Sequence, residues 1–121
     1  MSRAILLVDH GSRRDEANAV LEEIAAGVRR RRPDALVEVA HMEQAPPSLA
    51  AALARCAERG ARDVVVCPYF LGPGRHTTRD IPRLVEEARA AHPELRVRVA
   101  APLGFDEHLV DVVLARADAV G

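Results

Sequence analysis

Short apolar runs with the character of β-strands alternate with longer amphipathic stretches along this sequence, and few architectures accommodate that order. Residues 4–8 form the first run. A stretch with helical periodicity through Ala17, Val20, Leu21, Ile24 and Val28 follows it. Ser12 and Asp15 have the spacing of a capping box, which predicts that the first helix begins just after Gly11 and leaves His10 at the strand-to-helix turn. The pattern repeats with a strand over 36–42 and a helix over 47–58 that ends at Gly60. A third strand over 64–69 leads through Gly72, Pro73 and Gly74 to a third helix, with Asp80 or Thr78 as its cap and Pro82 in its first turn. A strand over 95–100 and a helix through Leu109, Val110, Val113 and Leu114 complete the chain, which is expected to be one domain over 1–121.

Strands that alternate with helices imply a parallel sheet with helices on both faces, because every crossover is right-handed and must cover the sheet. Ala4-Ile5-Leu6-Leu7-Val8 and Val64-Val65-Val66 are continuously apolar, as strands buried on both faces should be. Leu36-Val37-Glu38-Val39 and Arg96-Val97-Arg98-Val99 carry charges and belong at the edges. The expected α/β fold is therefore a four-stranded parallel sheet of order 2-1-3-4. Its winding reverses between strands one and three, where ligands of such sheets bind beyond the carboxyl ends.

His10 follows strand one and His76 follows strand three by a short loop, so both converge on that switch point. Glu43 ends strand two beside them, and on an extended strand it shares a face with His41. Two imidazoles and a carboxylate suit a first-row divalent metal such as cobalt, iron, nickel or zinc, and neutral imidazole also accepts protons near neutral pH. The bland readings are a hydrogen-bonding loop role for each histidine and a surface carboxylate at a helix start for Glu43. His92 at a helix end and His108 early in the last helix read as surface groups, and the basic run 29–32 as a solvated helix end.

Arg13, Arg14, Arg75 and Arg79 flank the two histidine loops and would attract carboxylates or phosphates. Gly72-Pro73-Gly74 lacks the spacing of a nucleotide loop and reads as a flexible or close-packed loop at the site.

Net charge and aromatic content remove other classes. With 17 basic against 18 acidic residues and a net charge of -1, no single-sign field draws the molecule to nucleic acid or an anionic membrane. The absence of Trp and a total of three Tyr and Phe leave no base-stacking surface. The run 4–8 is far shorter than a signal or spanning segment, so a cytoplasmic location is expected. Cys56 and Cys67 form no C-x-x-C pair and read as small buried residues.

The ordered set Leu6-Leu7-Val8-Asp9-His10-Gly11-Ser12-Arg13, Gly60-Ala61-Arg62, Gly74-Arg75-His76, Asp80-Ile81-Pro82 and Pro102-Leu103-Gly104 resembles the small class II chelatases of the CbiX and SirB type, across nearly the whole chain. Those enzymes insert a metal into sirohydrochlorin. The resemblance implies a chelatase-like fold equal to one half of the longer, two-domain members, and hence a homodimer. It implies that His10 and His76 are the paired metal-handling histidines and that Glu43 is their acidic partner. Where the family often has a histidine soon after the Pro-Leu-Gly turn, this chain has Phe105 and Asp106, with His108 slightly later.

The activity expected is insertion of cobalt, with iron or nickel as alternatives, into sirohydrochlorin for cobalamin, sirohaem or related tetrapyrrole synthesis. Ser12, Arg13, Arg75 and Arg79 would hold the substrate, and no organic cofactor is expected. A metal carrier or storage protein without catalysis would use the same histidines. A phosphohistidine enzyme built on His10-Gly11 is disfavoured, because Asp9 stands where such enzymes carry arginine.

Overall fold

The computed structural model describes residues 3–121. Four strands, β1 (Arg3–Asp9), β2 (Leu36–His41), β3 (Asp63–Pro68) and β4 (Arg96–Val99), alternate with four helices, α1 (Asp15–Arg31), α2 (Leu49–Glu58), α3 (Ile81–Ala91) and α4 (Glu107–Ala119). All strand pairs are parallel, and the sheet order is β2-β1-β3-β4, as the distribution of charge among the strands predicted. The physical reason is simple: β1 and β3 lie between neighbours and under helices, where Glu38, Arg96 or Arg98 could not be solvated.

The pleat divides the core in two. On one face Ala4, Leu6, Val8, Val64, Val66 and Val97 pack against Leu49, Leu53 and Cys56 of α2 and Ile81, Val85 and Ala88 of α3. On the other, Leu7, Val37 and Val39 pack against Leu21 and Ala25 of α1, with Val28, Cys67 and Tyr69 partly buried beside them. Burial pushes the Cys56 thiol up to about 11, with the nearby Glu38 charge adding to the effect, so it is an inert core thiol. Cys67 is only half-buried, because the α1 face is covered less completely than the other.

That incomplete cover has a counterpart in α4. Asp106 caps it by accepting a hydrogen bond from the His108 N–H, yet none of its residues is buried, and Val112, Val113 and Leu114 are exposed. Val20 and Ile24 on α1 are exposed as well, so the apolar stripe of that helix is wider than the sheet it covers.

Two helix starts differ from expectation. The capping box of Ser12 and Asp15 does not form: the Ser12 hydroxyl accepts from the Arg14 N–H within its own turn, and α1 begins only at Asp15 with no side-chain cap. Asn18 instead clasps the turn, its Oδ1 accepting from the Ser12 N–H and its Nδ2 donating to the Ser12 carbonyl. Neither Asp80 nor Thr78 caps α3, because the chain is already helical there: a π turn over His76–Asp80 runs straight into it. Pro82 sits in the first turn of α3, where it is tolerated.

Candidate metal centre

The carboxyl ends of β1, β2 and β3 finish level with one another, Asp9 opposite His41 and Val8 opposite Pro68. The main chain stays tied just past the sheet, where the Glu43 N–H donates to the His10 carbonyl (3.1 Å) and the Tyr69 N–H to that of Val8 (2.7 Å). Gly11 follows with φ +91°, and a Cβ there would lie 1.8 Å from the Glu43 carbonyl oxygen, so only glycine lets the two loops approach this closely.

His10, Glu43 and His76 thereby present one ligand atom each, all within 4.8 Å of one another. The imidazoles of His10 and His76 meet edge to face with centroids 4.5 Å apart, and Phe70 packs against His10 at 5.6 Å. His76 owes its aim to the π turn, a wide turn often found at functional sites, in which the Thr77 and Thr78 hydroxyls both donate to the Gly74 carbonyl. Its Nδ1 hydrogen-bonds to Asp80 Oδ2 at 2.9 Å, which leaves Nε2 free. Desolvation works to raise the Asp80 carboxyl, but the hydrogen bond from His76 and the charge and hydrogen bond of Arg79 outweigh it and hold the group below its ordinary value. Asp80 is therefore ionised at neutral pH. The stability it contributes is complete above the ordinary carboxylate range and is lost only as acid takes the pH through the lowered value.

The three donors open on a cavity of 610 Å³. Arg75 and Arg79 line it. Arg13 lies outside the lining, where its Nε donates to Gln44 Oε1 across the two loops, and the Ser12 hydroxyl is committed to its turn. Gly72 and Gly74 line the cavity but are not close-packed, since a Cβ on either would meet open space.

The expectation that Glu43 shares a face with His41 fails, because the chain leaves the extended conformation after His41. Glu43 is exposed beside His10, whereas His41 is buried against Asp9. His92 stands beside Glu94 and His108 beside Asp106, both apart from the three gathered donors. Reading the sequence missed Phe70 and Asp80; the spacing of His76 and Asp80, four apart in a helical segment, was the available signal for the second.

Fold and site together define a class of α/β domain that gathers two imidazoles and a carboxylate at the switch point of a parallel sheet. The chain belongs to the CbiX family, whose model matches residues 4–120. It is 45% identical over 109 residues to the chloroplastic sirohydrochlorin ferrochelatase of Arabidopsis thaliana, covering 90% of this chain and 48% of that one. It is 32% identical to the sirohydrochlorin cobaltochelatase of Methanocaldococcus jannaschii, covering 94% of this chain and 96% of that one. The crystal structure of the sirohydrochlorin chelatase SirB from Bacillus subtilis subspecies spizizenii in complex with cobalt superposes with a TM-score of 0.90 at 29% identity, covering 99% of this chain and 51% of SirB. The chain thus spans about half the length of the plant enzyme and of SirB, and nearly all of the Methanocaldococcus protein. Among the described residues, no helix is long and apolar enough to cross a membrane.

Proposed function

We propose that this protein inserts a divalent metal, cobalt first and iron or nickel as alternatives, into sirohydrochlorin. The observation that carries this reading is the convergence of His10, Glu43 and His76 from three separate chain segments on one cavity. The activities of the relatives support it, since both cobalt and iron chelatases are among them. In the reaction the metal enters the macrocycle and two pyrrole protons leave, so the metal is a substrate and something must accept protons. The Nε2 of His76 and a nitrogen of His10 offer lone pairs to the incoming metal. Glu43, exposed at the cavity, takes the protons and releases them to water. Arg75 and Arg79 hold the carboxylates of the tetrapyrrole, and fixing both reactants in one geometry supplies part of the acceleration.

Purified protein mixed with sirohydrochlorin and cobalt, iron(II) or nickel should show faster change in tetrapyrrole absorbance than a protein-free control. No acceleration with any metal would reject the enzyme and leave a metal carrier in its place. Asp80→Ala is expected to weaken cobalt binding about 10–100-fold, because the bond that orients a metal-facing histidine is lost. Isothermal titration of the folded variant would check this, and unchanged affinity would show that His76 needs no such support.

The active form is proposed to be a homodimer. A 13-residue helix with no buried residue is marginal by itself, and the exposed valines and Leu114 of α4 call for cover. A second copy would supply it, in keeping with a SirB chain about twice as long as this one. Val113→Asp is expected to shift the protein from dimer to monomer in analytical ultracentrifugation; a wild-type monomer at micromolar concentration would dismiss the dimer.

A further inference from the structure

His41 is the one buried polar residue among the described residues, at 4% exposure. It ends β2 opposite Asp9, which ends β1, and its Nδ1 lies 2.5 Å from Asp9 Oδ1. A buried imidazole needs such a partner, but this one occupies a particular place. Asp9 immediately precedes His10, and His41 stands two residues before Glu43.

Other restraints meet at the same point. The His41 N–H donates to the Pro47 carbonyl at 2.9 Å, which folds the β2–α2 loop back over the strand end. The His41 Cβ is 3.1 Å from where a Gly11 Cβ would stand, so it backs the close approach of Gly11 to Glu43. The remaining side-chain tie between these loops, from Arg13 to Gln44, is exposed and yields easily. Main-chain bonds from the Met42 N–H to the Asp9 carbonyl and from the Glu43 N–H to the His10 carbonyl join the same two loops, and they hold their geometry only while the strand ends beneath them are locked.

We infer that His41 and Asp9 form a positioning pair that sets the separation of His10 and Glu43, and through it the metal affinity of the site. His41 is not itself a ligand. The inference rests on the reading of His10, Glu43 and His76 as the metal-handling set. A pair that served the fold alone would change stability and leave the affinity of the folded protein untouched.

The intact protein would be titrated with cobalt(II) alone, following the visible absorption of the bound ion, for wild type, His41→Leu, Asp9→Ala and His41→Asn. His41→Leu and Asp9→Ala are expected to bind about 10–100-fold more weakly with an altered cobalt spectrum. His41→Asn is expected to recover affinity and spectrum to near wild type, because asparagine places an N–H donor on the same Cγ that carries Nδ1. Circular dichroism would establish folding first. Should His41→Leu fail to fold, Asp9→Ala decides, since the Asp9 side chain is 20% exposed and water can enter the space it leaves to bond the His41 ring.

Wild-type affinity in folded Asp9→Ala or His41→Leu would overturn the positioning role. So would a folded His41→Asn that recovers nothing, which would show that the ring and not the bond matters. A wild-type protein that binds no cobalt would instead bring down the metal-centre reading, and this inference with it.

Discussion

Replacing His76 by alanine is expected to return metal insertion to the protein-free rate while the fold survives. His76 supplies one of the three gathered donors, and its loss leaves a single imidazole and a carboxylate, too few to hold and present the ion. The change is structurally mild. The His76 side chain is 22% exposed, and Asp80, deprived of it, keeps Arg79 at 3.5 Å and Arg83 at 3.9 Å as counter-charges. Tetrapyrrole absorbance with cobalt, beside a thermal melt of the same sample, would check both halves. A folded His76→Ala protein that inserts metal at the wild-type rate would refute the assignment.

Gly11→Ala is expected to have the largest effect on stability for the smallest change in side chain. The new methyl would sit 1.8 Å from the Glu43 carbonyl oxygen and 3.1 Å from the His41 Cβ, at a φ of +91° that L-residues rarely adopt. Backbone strain and overpacking together should cost about 2–5 kcal/mol. Against a total stability of about 5–15 kcal/mol, that lowers the denaturation midpoint visibly and makes expression at 37 °C doubtful. The clash also drives His10 and Glu43 apart, so the surviving folded protein should bind cobalt poorly. Urea denaturation with a parallel cobalt titration would measure the two effects; a variant unchanged in both would mean that the loops separate without cost.

Much of the architecture was legible because it depends on properties that each segment carries by itself. The order of the strands followed from which runs tolerate a charge: Glu38 finds Arg55 and Arg59 at the β2 edge, whereas a charge at Leu6 or Val66 would be stranded under two helices. His10 and His76 were legible as a pair because a switch point draws the loops after strands one and three together whatever their composition. Ser12 misled because its spacing to Asp15 fits a capping box, while the hydroxyl bonded within its own turn instead. His41 misled in the opposite direction, appearing beside Glu43 in sequence although one bend sends the two side chains to different environments.

The sequence by itself determined the parallel α/β fold, the order of its strands and the two histidines at its switch point, since periodicity, burial and chain reversal are written in local patterns. Only the tertiary structure decided what supports the site they form. Asp80 beneath His76, Asp9 against His41, and the wedge of Gly11 under Glu43 are contacts set by register and by the closeness of loops, which no spacing along the chain encodes. The bare apolar side of α4 likewise emerged only in three dimensions, because amphipathic periodicity marks a face for burial without saying whether the same chain supplies the cover.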